Sequence, residues 1–73
     1  MTGLLDAALL DAHARDDKDA LITLYHQAAL EAQCEQSAGF FLTHAYIFAL
    51  ERGDTRATGL RKDLAVMGRE TFP

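Results

Sequence analysis

His44 is the residue that most invites a chemical reading. It stands in the apolar run Ala-Gly-Phe-Phe-Leu-Thr-His-Ala-Tyr-Ile-Phe-Ala-Leu, residues 38–50, where only Thr43 shares its polarity. Ser37 and Glu51 lie one heptad before and after it. A heptad drifts by only about 20° around a helix, so the three side chains share one narrow stripe. A hydroxyl, an imidazole and a carboxylate in line could form a polar seam facing a ligand, with His44 changing charge near neutral pH. They could also be the one water-facing edge of a helix buried elsewhere, because each helix of a small bundle needs some outlet to solvent. The solvent edge is the expectation adopted here. No nucleophile motif or phosphate-binding glycine loop accompanies His44 and Glu51, so a hydrolytic triad is not indicated. No catalytic residue is assigned.

Metal and thiol chemistry are equally poorly supported. His13, His26 and His44 fall on three separate segments, and no pair has the i, i+4 spacing of a helical metal site. No metal or cofactor is expected. Cys34 is the sole cysteine, which excludes an intramolecular disulfide. Glu35 beside it should raise the thiol pKa, so Cys34 is expected to be unreactive.

The elements that must carry these residues read as all-α. β-Branched residues are few, no sustained alternation occurs, and no Asn-Gly or Asp-Gly turn is present. The only proline is the last residue, so nothing in the interior forbids helix. Four helices are predicted, at about 3–14, 17–34, 38–52 and 55–67. In the first, Leu4, Leu5, Ala8, Leu9 and Ala12 share a face, Leu10 lies off it, and Thr2 is the expected N-cap. Asp16 or Asp17 should cap the second, with Asp16 and Asp19 at capping-box spacing. Leu21, Leu24, Tyr25, Ala28 and Ala32 recur at its helical period, and Leu30 falls outside that stripe.

Ser37 is a fair cap for the third helix. A single helix from Asp17 to Arg52 would be about 54 Å long, a rod too long for so short a chain to cover, so a break is expected in residues 34–39. Gly53 should end the third helix in the left-handed conformation and Asp54 should cap the fourth. So tight a turn folds the last two helices into an antiparallel hairpin. Ala57, Leu60, Leu64 and Met67 form the buried stripe of the fourth, Gly68 ends it, and residues 69–73 are expected to fray.

At 73 residues the chain is read as one helical domain with the third helix central. An apolar fraction of 49% and a charged fraction of 25% suit a folded domain. Asp6 and Asp11 interrupt the apolar start and no basic leader precedes them, so no signal peptide is expected. The run at 38–50 falls short of the roughly 20 residues that span a membrane. A cytoplasmic, reduced setting is the expectation, without membrane contact.

The net charge is −4. Residues 1–36 hold seven acidic side chains (Asp6, Asp11, Asp16, Asp17, Asp19, Glu31, Glu35) against Arg15 and Lys18. Arg56, Arg61 and Lys62 follow the Gly-Asp turn, but an acidic chain without a dense basic cluster is a poor nucleic-acid binder.

Residues 20–64 resemble a tetratricopeptide-like helical hairpin followed by a further helix. The match is carried by Ala45-Tyr46-x-x-Ala49-Leu50-Glu51-Arg52-Gly53-Asp54, which looks like the end of a repeat's second helix and its turn. In that likeness Ala49 is the small packing residue, Tyr46 the large aromatic and Leu42 the apolar residue one turn earlier. Leu21, Leu24 and Tyr25 mark the first helix. The proline usual after the second helix is absent, with Asp54 near its place, and the intervening segment is several residues longer than standard. The resemblance implies a right-angled or antiparallel helical stack and transfers no binding residues.

These readings converge on a non-enzymatic helical interaction protein, either a homo-oligomer or the small partner of a larger protein. The third helix carries more apolar surface than a chain this short can cover. Phe40, Phe41, His44, Phe48 and Glu51 are the candidate interface or ligand residues. The alternative is a small-ligand binder with Phe41, His44 and Phe48 walling a pocket between helices.

Overall fold

The computed structural model describes residues 2–67, with side-chain surroundings from residue 5 onward. The chain forms α1 (Thr2–Arg15), α2 (Lys18–Glu31), α3 (Glu35–Arg52) and α4 (Arg56–Val66). α1 packs on α2, α2 on α3 and α3 on α4, so the helices follow one another through space in chain order. Their backbone fills a slab of 30 × 29 × 14 Å. No strand occurs among the described residues.

The α1–α2 and α3–α4 turns are built alike. Asp16 has φ 53 and Gly53 has φ 69, both left-handed. At the first turn the Asp16 N–H donates to His13 O and the Asp17 N–H to Ala12 O. At the second, the Gly53 N–H donates to Leu50 O and the Asp54 N–H to Ala49 O. Each pair of bonds satisfies carbonyls that the helix end would leave without partners. Each turn then supplies an acid to the next helix. Asp17 accepts the Ala20 N–H at 3.1 Å, and Asp54 accepts the Arg56 N–H at 2.9 Å. Asp17 is therefore the cap of α2. The capping box expected from Asp16 does not form, because Asp16 is spent on the turn itself.

The largest departure from expectation lies between α2 and α3. α2 ends at Glu31 rather than residue 34, and α3 begins at Glu35 rather than residue 38. Ala32 (ψ 144) and Cys34 (φ −138, ψ 159) hold extended backbone across the break. Cys34, not Ser37, occupies the N-cap place of α3 and makes no side-chain cap bond. Ser37 lies inside the first turn. Thr2, expected as the cap ahead of the first helix, lies inside α1, and the expected roles of Gly68 as a stop and residues 69–73 as a frayed tail fall outside the described residues.

α3 is central, as its apolar run demands, with α2 beside it. Leu42, Ala45, Tyr46 and Ala49 of α3 form the core with Ile22 and Ala29 of α2 and Leu60 and Leu64 of α4. Gly39, Ala45 and Ala49 are buried on one side of α3. Such small residues let neighbouring helix axes approach closely. The C-terminal end of α4 reaches back towards Ala38 and Leu42 in the first half of α3, as an antiparallel hairpin requires. Tyr25, Phe41, Phe48, Ala57 and Met67 close over this core.

Candidate functional site

α3 is covered on the side that faces α2 and α4 and left open on the other. Along the open side lie Phe40, Ile47 and Leu50, which remain 56%, 41% and 53% exposed. Thr43 falls between them, spaced so that Phe40, Thr43, Ile47 and Leu50 line up along the helix. Residues 36–50 contain no Asp, Glu, Lys or Arg, so this edge is neutral as well as apolar. Its polar atoms are satisfied from within. The Thr43 hydroxyl donates to the Gly39 carbonyl at 2.8 Å, and His44 Nδ1 lies 3.0 Å from the Phe40 carbonyl.

The stripe of Ser37, His44 and Glu51 is not the solvent edge that the sequence suggested. Glu51 is exposed, but Ser37 and His44 are half-buried. The His44 ring stacks on Tyr25 with centroids 5.1 Å apart and lies 4.4 Å from the Phe40 ring. The cause is Tyr25, which reaches from α2 over this part of α3. Its ring also stacks on Phe48 at 5.9 Å and tilts against Phe41 at 6.2 Å. Its hydroxyl is hydrogen-bonded to His13 Nε2 of α1 at 2.9 Å, and burial pushes its phenol pKa up. Phe41, His44 and Phe48 are thus brought together as a packed aromatic cluster. Phe40 flanks the cluster on the exposed side, and Glu51 stands apart from it.

A recess lies elsewhere, between α2 and α4. It encloses about 450 Å³, floored by Ile22 and Leu60 and edged by Thr23, His26, Arg56, Gly59 and Asp63. Arg56 closes one end. Its Nε donates to Asp54 Oδ1 at 3.0 Å, Nη1 to Thr23 Oγ1 at 3.0 Å, and Nη2 to Asp54 Oδ2 at 2.9 Å. Nη2 also donates to Asp19 of α2. The guanidinium therefore ties the first turns of α2 and α4 together, and its hydrogen bonds hold the Asp54 carboxyl well below the usual carboxylate range. At the other end His26 Nε2 lies 3.9 Å from Asp63 Oδ2. A second recess of about 300 Å³ runs between α1 and the α2–α3 junction, with Leu5, Leu9 and Phe41 in its wall.

Sequence reasoning did not single out Ile47, Leu50 or the Arg56 network. Ile47 and Leu50 were hidden in a run that is apolar all round. Asp54 followed two residues later by Arg56 was a visible local signal, whereas Asp19 and Thr23 share no pattern with Arg56.

Cys34 also departs from expectation. The Ser37 hydroxyl, aided by the backbone N–H groups of Ser37 and Gln36, lowers the thiol pKa despite Glu35. Among the described residues no group of three His, Cys, Asp or Glu side chains is placed to hold a metal ion. No described helix is long and apolar enough to cross a membrane. The chain matches no protein-family model, no curated protein and no solved structure.

Proposed function

We propose that this protein is a non-enzymatic helical interaction module that self-associates through the apolar edge of α3. The observation that carries this reading is the row Phe40, Ile47 and Leu50, three large apolar side chains left 41–56% exposed on one helix. Isolated exposed leucines such as Leu10 and Leu30 need no explanation. An aligned row on the central helix does, because burying it against a second apolar surface is favourable. The tetratricopeptide-like resemblance belongs to the same proposal. Helices that pack in chain order, with Ala45, Tyr46 and Ala49 buried between them, support it. The setting we propose is the cytoplasm, with neither nucleic acid nor membrane as partner.

Sedimentation velocity over a concentration series tests the reading. The mass should rise with concentration for the parent and stay monomeric for Phe40→Glu, whose circular dichroism should be unchanged. A folded parent that remains a monomer throughout overturns it. So does association that Phe40→Glu leaves intact.

The recess edged by Thr23, His26 and Asp63 favours a second reading, a small-ligand binder. Its volume of about 450 Å³ lies within the range of ligand pockets. The ligand site then moves from Phe41, His44 and Phe48 to the space between α2 and α4. A concentration-dependent thermal shift with a metabolite, abolished by Gly59→Leu, would support it.

A further inference from the structure

The recess between α2 and α4 sets an apolar floor between two polar ends. Ile22 and Leu60 form the floor. The space over Gly59 is open, because nothing lies within 4 Å of a Cβ built there. Such a floor accepts any apolar body, so the ends must choose the ligand. At one end Arg56 is already neutralised, its guanidinium bonded to Asp54, Asp19 and Thr23. It keeps no free charge for an anion.

The other end is open. His26 Nε2 and Asp63 Oδ2 stand 3.9 Å apart, beyond the roughly 3.2 Å reach of an N–H···O hydrogen bond. Among the described residues no group donates to the Asp63 carboxylate. One atom lying about 2.9 Å from both would close this gap. A primary ammonium can donate at once to the carboxylate and to the Nε2 lone pair of a neutral imidazole. A hydroxyl could bridge only the other tautomer, accepting from Nε2–H, and would bring no charge to match the carboxylate. Charge therefore separates the two. Asp19, Asp54 and Asp63 stand around the recess against the single guanidinium of Arg56, an excess of acid that favours a cation.

Resting on the small-ligand reading of this recess, we infer that it takes a primary amine with a compact apolar body. The ammonium bridges Asp63 and His26, and the body lies on Ile22 and Leu60. His26 and Asp63 are about half exposed, so their attraction is screened by water and the affinity is modest.

Amide NMR titrations of the isotope-labelled protein test this with three probes of similar shape: cyclohexylmethylamine, cyclohexylmethanol and cyclohexanecarboxylate. The amine should shift the amides around His26, Gly59 and Asp63 and saturate at several-fold lower concentration than the alcohol. The carboxylate should not bind. Asp63→Asn should lower the affinity for the amine to that for the alcohol and leave the alcohol unaffected. Gly59→Leu should abolish binding of both. Both positions are exposed, and circular dichroism checks that each variant keeps its helix content.

Equal affinity for amine and alcohol, or an equal loss of both in Asp63→Asn, overturns the amine and leaves the recess a small-ligand site. No saturable shift with any of the three probes overturns both. Amine shifts scattered over the acidic faces of α1 and α2 would be general attraction to an acidic chain, and they overturn the bridge between Asp63 and His26. Nα-acetyl-lysine methylamide carries the same ammonium on a peptide unit. Tighter binding of that probe than of cyclohexylmethylamine would assign the recess to a lysine side chain of another protein and overturn the free amine.

Discussion

Arg56 of α4 donates to Asp19 of α2, although 37 positions of chain separate them. This guanidinium is a direct tie between the two helices that flank the central one, at the opposite end of their shared recess from His26 and Asp63. It also donates to Thr23 and twice to Asp54. Arg56→Ala should lower stability by about 1 kcal/mol, the scale of a partly exposed ion pair. Arg56→Lys should recover little, because a compact ammonium lacks the planar fork that reaches all three of these side chains at once. Urea denaturation followed by circular dichroism measures both. Full stability in the Lys variant would show that charge alone, and not the fork, makes the tie.

Asp54 sets an acid limit on the same corner. The Arg56 guanidinium and backbone N–H, with Arg52 Nε at 3.1 Å, favour its ionised form and depress its pKa. The unfolded value is about 3.9. A folded pKa below the unfolded one means that the unfolded state binds more protons between the two. The stability due to Asp54 is therefore present above about pH 4 and is lost as the pH falls below it. Asp54→Asn should have a lower urea midpoint than the parent at neutral pH. The gap between the two should narrow as the pH falls through about 4 towards 2. A gap of constant size across that range would show that the charge of Asp54 is not coupled to folding.

Much of this architecture was legible because local signals agreed. Gly53 marked a turn by conformation and acts as read, whereas Thr55, not Asp54, occupies the N-cap place of α4, with Asp54 one residue earlier accepting the Arg56 N–H. Leu21, Ala28, Leu60 and Leu64 lay on clean helical stripes, and all four are buried. The α2–α3 break was placed three residues late because Ala32, Gln33 and Cys34 contain no glycine, proline or capping side chain. The exposed edge of α3 was illegible for a different reason. Periodicity identifies which residues share a line, but where every line is apolar it cannot say which one faces water. Tyr25, on another helix, decided that by covering His44 and leaving Phe40, Ile47 and Leu50 uncovered.

Asp16 carries a residual conformational cost. It holds φ 53, a region that is unfavourable for residues with a Cβ although Asp tolerates it better than most. Its ion pair with Lys18 is highly exposed and contributes little. Asp16→Gly should therefore stabilise the protein by about 0.5 kcal/mol, the relief being partly offset by greater freedom in the unfolded chain. Gly53→Ala at the equivalent place in the other turn should cost about 1 kcal/mol. Nothing lies within 4 Å of a Cβ built there, so the cost would be conformational rather than steric crowding. Opposite signs at two turns of the same design are the result to seek in paired denaturation curves. Destabilisation by Asp16→Gly would show that the aspartate side chain contributes more than its backbone strain costs.

The thiol of Cys34 should be more reactive than a glutamate neighbour suggests. Its Sγ lies 3.3 Å from Ser37 Oγ, at the N-cap place of the 18-residue α3. A thiol there can donate to the hydroxyl, and once ionised it accepts from the hydroxyl and from the N–H groups of Gln36 and Ser37. These donors and the positive end of the helix dipole favour the thiolate. The rate of iodoacetamide alkylation at neutral pH should be several-fold higher in the folded protein than in urea, because Cys34 is exposed in both. Ser37→Ala should slow the folded rate several-fold by removing the first of these donors, whereas Glu35→Gln should change it less. If Glu35→Gln has the larger effect and Ser37→Ala has none, the neighbouring acid governs the thiol and the hydroxyl does not.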